Sequence, residues 1–237
     1  RSGGDHFVAY LDGDTLTVRF QNATDEITLT FDGVRPGRAY EVVATFDGST
    51  VALDVDGTRV DAVPFAFDLA DNVQALQLGA NGWASESGET GFTEAFSGTI
   101  GDAVILNAPV APAEVDARIA AAREPDPAPA PEPRPDPAPA PDPDPAPAPG
   151  AVEGAVFSAL GVRVFDGTAD PVLERPHEPA FAVAEGTVAF GFRADSLAGM
   201  QGLLSKDAVH KDGGDHFVAY LEGDSLKVRF QNATDEI

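Results

Sequence analysis

The chain has 237 residues, 43% of them apolar, no cysteine, and a formal net charge of −24. That charge argues against nucleic acid and anionic membranes, which call for basic stripes, and no apolar run approaches the ~18 residues of a membrane span. Without disulfides the fold must rest on its core, which this length can supply as one or two domains.

In chain order, residues 5–11 and 15–20 flank Asp12-Gly13-Asp14, the pattern of a β-hairpin with glycine at its turn. Residues 28–31 alternate, and a strand at 39–46 follows the Pro36-Gly37 turn. Asp47-Gly48 leads into 50–55, and Asp56-Gly57 joins that run to 58–63, the strongest short hairpin signal in the chain. Residues 75–79 and 96–106 read as further strands. Only residues 112–122 read as a helix, starting at Pro112 and spacing Val115 and Ile119 four apart.

Residues 124–149 alternate proline with Ala, Asp, Glu or Arg, and half of them are proline. Missing amides and the absence of an apolar face predict polyproline II, roughly 80 Å long at about 3.1 Å per residue. Six carboxylates against the single Arg134 extend it further by repulsion. Beyond it, residues 155–164, 186–194 and 202–205 read as strands.

Residues 213–237 then repeat residues 3–27 with three differences: Glu222 for Asp12, Ser225 for Thr15 and Lys227 for Thr17. An offset of 210 residues is the size of a domain plus a linker. The expected organisation is a window on a longer array. Residues 1–123 are then the C-terminal portion of one repeat, 124–150 the linker and 151–237 the N-terminal portion of the next. Turn signals every eight to twelve residues without helical crossovers predict an all-β fold. About twelve short strands over roughly 180 residues fit an antiparallel two-sheet jelly-roll sandwich better than a smaller immunoglobulin-type one.

Read with 151–237 first, the composite resembles the laminin G-like members of the concanavalin A-like jelly rolls, as found in secreted bacterial proteins. The matching stretches are Val164-Phe165-Asp166-Gly167, residues 186–192 (GTVAFGF), 202–207 (GLLSKD), 213–217 (GGDHF), 42–46 (VVATF), 51–57 (VALDVDG), 78–83 (LGANGW) and 96–102 (FSGTIGD). Each is weak alone. Their order and spacing carry the likeness. It implies an extracellular location, adhesion and carbohydrate binding. It also implies a structural Ca2+ between Asp166 in the first Asp-Gly loop and Asp102 before the last strand. The alternative at those positions is an ordinary turn and a strand edge, with the acidity serving solubility.

Some jelly rolls of this class are glycosidases, with a Glu-x-Asp motif and a second Glu shortly after it. Glu114-Val-Asp116 is the nearest approach here, but it lies in the predicted helix and is followed by Arg118 and Ile119. No catalytic residue is therefore assigned and the chain reads as a non-enzyme. The loop carrying Asp207, His210, Asp212, Asp215 and His216 is dense in polar groups. It is either a rim for a glycan or second cation, or a solvated hairpin loop. Trp83, the only tryptophan, is either a sugar-stacking platform or a cap on one end of the core. Two functions are expected. One is an adhesin module binding glycans or other surface ligands multivalently. The other is a bead-and-spacer repeat of a stalk or fibre that meets only its neighbouring copies.

Overall fold

A computed structural model describes residues 6–12, 14–21, 26–70, 75–80, 95–123, 151–168, 170–199, 201–206, 216–222 and 225–231. The linker 124–150 lies outside them, so its polyproline II expectation stands as sequence reading only.

The strands are β1 (His6–Asp12), β2 (Thr15–Gln21), β3 (Glu26–Phe31), β4 (Ala39–Phe46), β5 (Thr50–Val55), β6 (Thr58–Pro64), β7 (Leu76–Leu78) and β8 (Ser97–Leu106). After helix α1 (Pro112–Arg123) come β9 (Ala155–Asp166), β10 (Leu173–Arg175), β11 (Gly186–Ala194), β12 (Gln201–Lys206), β13 (His216–Glu222) and β14 (Ser225–Gln231). Turn chemistry explains the hairpins. Asp56 and Gly57 both take positive φ, 50° and 70°, the requirement of a two-residue type I′ connection between β5 and β6. At the β4–β5 turn, one carboxylate oxygen of Asp47 accepts bonds from the Ser49 amide, the Ser49 hydroxyl and the Thr50 amide. β10 was not foreseen, because three residues are too few to show a period.

Among the described residues, the strands form two antiparallel six-stranded sheets and a separate two-stranded one. The first sheet runs β10-β7-β12-β1-β2-β3, the second β6-β5-β4-β11-β8-β9, and the third is β13-β14. The result is an all-β sandwich. Strands from 1–123 and from 151–206 interleave in both sheets, with β12 between β7 and β1 and β11 between β4 and β8.

The interior is apolar and aromatic. Phe7, Phe20, Phe46 and Phe67 pack with ring centroids 5.0–6.2 Å apart, closing the space between the sheets. A second cluster lies on the other side of the second sheet. There Val115 and Ala122 of α1 pack with Val43, Val104, Leu106, Val152 and Ala189. Alternation along β4 shows why: Tyr40, Val42, Ala44 and Phe46 belong to the interior, while Val43 joins the helix-covered face. Buried Thr187 anchors the approach to the helix, accepting from the Val110 amide and donating to the Ala108 carbonyl.

Candidate functional site

Docking α1 on the second sheet leaves a cleft of about 250 Å³ lined by Glu41, Asp102, Val115, Asp116, Ile119 and Arg123, among others. Its polar groups come from three elements. β4 supplies Glu41, β8 supplies Asp102, and α1 supplies Asp116 and Arg123. Glu41 is half-buried, and its carboxyl is pushed up to about 7. Desolvation is the main cause, followed by a hydrogen bond to Asp116 and the charges of Asp116 and Asp56.

Asp102 faces the other side of the cleft. It adopts a positive φ of 49°, one oxygen accepts from the Gly161 amide at 2.9 Å, and the other pairs with Arg123. Asp56 fixes the strand beside Glu41, accepting from the Glu41 amide at 2.9 Å and pairing with Arg38 at 2.8 Å. The cleft thus offers a carboxyl that holds its proton to about pH 7 and a carboxylate–guanidinium pair around an apolar patch. Such a set suits a hydroxyl-bearing ligand, since it both donates and accepts.

The shared calcium site expected from the resemblance is not formed by Asp102 and Asp166. Asp166 pairs with Ser97 at one end of the β8–β9 ladder, five positions along β8 from Asp102. At about 3.4 Å per residue that is roughly 17 Å, too far for one ion. Asp102 is taken by Arg123. Asp166 is exposed and bonds the Thr168 amide and hydroxyl, which hold its carboxyl below the usual range. Glu114 and Asp116 both lie on α1, with Glu114 paired to Arg118 at 2.5 Å.

Trp83, Asp207, His210, Asp212 and Asp215 lie outside the described residues. His216 opens β13, and its side chain lies outside them too. At the end of β12, just before that loop, Lys206 is buried with its ammonium 3.4 Å from His177 Nδ1. Desolvation pushes Lys206 down to about 7 and also lowers His177, with the lysine charge as second cause.

Sequence reading missed Glu41 because an acidic residue on the polar side of an alternating strand looks like a solvent-facing one. Only the helix above it, 71 to 82 residues later, makes that side an interior. No family model, curated protein or solved structure matches the chain.

Proposed function

We propose that the chain is a non-catalytic repeat module of an extracellular bacterial array, a laminin G-like jelly roll binding glycans or related surface ligands multivalently. The duplicated hairpin carries this reading. β13–β14 keeps the register of β1–β2 pair for pair, from His216↔Gln231 through Glu222↔Ser225 against His6↔Gln21 through Asp12↔Thr15. A segment repeated at domain-sized offset, in the same secondary structure, is what tandem duplication leaves behind. The cleft beneath α1 is the proposed ligand site, where Asp102, Asp116 and Glu41 would meet sugar hydroxyls. Identical copies raise avidity without new contacts. The reading needs no calcium.

Near-identity of the copies also favours a second reading, a bead-and-spacer stalk that recognises nothing beyond its neighbours. A glycan array probed with the labelled chain, alone and clustered on beads, separates the two. Binding that strengthens on clustering and falls about tenfold or more in Asp116→Ala supports the module, since one charge-assisted bond is worth about 1.5–3 kcal/mol. Absence of binding in both formats leaves the stalk.

A further inference from the structure

The place held by β1–β2, between β12 and β3, is built for a hairpin that this chain carries twice. β1–β2 presents Phe7, Ala9, Leu11, Leu16, Val18 and Phe20 to the interior. At the matching positions the second hairpin has Phe217, Ala219, Leu221, Leu226, Val228 and Phe230, so the interior complement is unchanged. Thr15, whose hydroxyl donates to Asp32 at 2.6 Å, is matched by Ser225, which keeps a hydroxyl. The one unlike pair is Thr17 and Lys227. Thr17 is buried outside the interior cluster, as are its alternates on the same outward side, Val8, Tyr10 and Arg19.

Each hairpin has one short connection to this place, since four residues join β2 to β3 and nine join β12 to β13. β12 ends at Lys206 and β13 begins at His216, leaving nine residues between them. Between β1 and β12 lie residues 13–200. A short antiparallel connection is entropically easier to close than a long one. In the structure β1–β2 holds the place, and β13–β14 lies alongside β1, β2 and β12 as a separate sheet.

We infer that this place is an exchange site: β13–β14 of the same chain enters between β12 and β3, and β1–β2 moves out to cover the outward side. Lys227 sets the balance. Exchange puts a lysine where Thr17 is now buried beneath the other hairpin, and an ammonium is costly there. The two short connections offset one another, so the burial term is what favours β1–β2 in this place. The inference goes beyond the array reading and does not depend on ligand binding.

The absence of cysteine makes the test direct. In the full chain, Val8→Cys with Ser205→Cys reports the arrangement in the structure, since Val8 pairs with Ser205. Ser205→Cys with Val218→Cys reports exchange, Val218 being the counterpart of Val8, and Ser205→Cys with Ala219→Cys is the wrong-face control. Exchange predicts that the 205–218 disulfide forms within monomers at least about tenfold faster than the 205–219 one, because bridging requires Cα atoms within about 7 Å and convergent Cβ vectors. It predicts further that Lys227→Thr raises the yield of the 205–218 product. Equal rates for the two pairs would mean a merely tethered hairpin and overturn the inference. So would a 205–218 product found only between chains, or none under conditions that fully oxidise the 8–205 pair.

Discussion

Glu41 shows what a covering helix does to one carboxyl. The folded protein keeps a proton on it up to about pH 7, whereas an ordinary carboxyl releases it near 4.5. The stability from this pair is therefore fully present below about pH 4.5 and is lost as pH rises through 7. Glu41→Gln should remove that slope and stabilise the protein at pH 8 by about 1 kcal/mol, a value discounted for solvent screening at a half-exposed site. Thermal unfolding from pH 4 to 9 checks this, and an unaltered slope would refute it. Lys206 acts in the opposite sense. Its folded value near 7 lies below the usual 10.5, so the stability linked to it rises with pH between those values and is lost as pH falls through 7. Lys206→Met should abolish the alkaline rise. Gly79 is constrained by space as well as backbone. Its φ is +87°, and a Cβ there would sit 2.0 Å from Phe165 Cε1. Gly79→Ala should therefore cost about 3 kcal/mol in urea unfolding, from overpacking and left-handed strain together. The sequence marked Gly79 only as the end of a strand, because a clash with a residue 86 positions away has no local signature.

At the scale of elements, legibility followed the locality of the physics. The Asp56-Gly57 hairpin, the β1–β2 hairpin and β11 could be read because turn chemistry and two-residue alternation act over a few neighbours. α1 was also readable, ending at Arg123, one residue beyond the expected end. What it covers was not, since its few apolar residues form no strong stripe and the partner strands lie elsewhere in the chain. Its docking rests on Val115 and Ala122, both buried. Val115→Asp should destabilise the protein by about 3 kcal/mol, because a carboxylate would enter an apolar site without a partner. It should also return the Glu41 titration toward that of an ordinary carboxyl, visible by NMR. A folded variant with the Glu41 titration unchanged would show that the helix does not cause the shift.

At the scale of the molecule, composition predicted the acidity, and the duplication separated two portions that the structure interleaves strand by strand. The pairings between those portions could not be read, because no local rule states that β11 enters between β4 and β8. The spacing of the expected calcium pair was illegible for the same reason: the resemblance supplied two aspartates, and the β8–β9 register sets them apart. With a net charge of −24, compaction works against self-repulsion, so raising NaCl from low ionic strength to 0.15 M should raise Tm by screening. Calcium chloride at equal ionic strength should raise it to the same extent. An additional calcium-specific increment would point to an ion site formed by other residues.

Interleaving also sets an order of events during synthesis. β4 and β8 precede the linker, yet the strand that lies between them, β11, follows the entire proline-rich stretch. At about 5–20 residues per second, the interval from Arg123 to Lys206 lasts roughly 4–17 s. Over that interval β4 and β8 wait for the neighbour that this chain supplies between them. Closing this sandwich from the strands of this chain is thus a post-linker event.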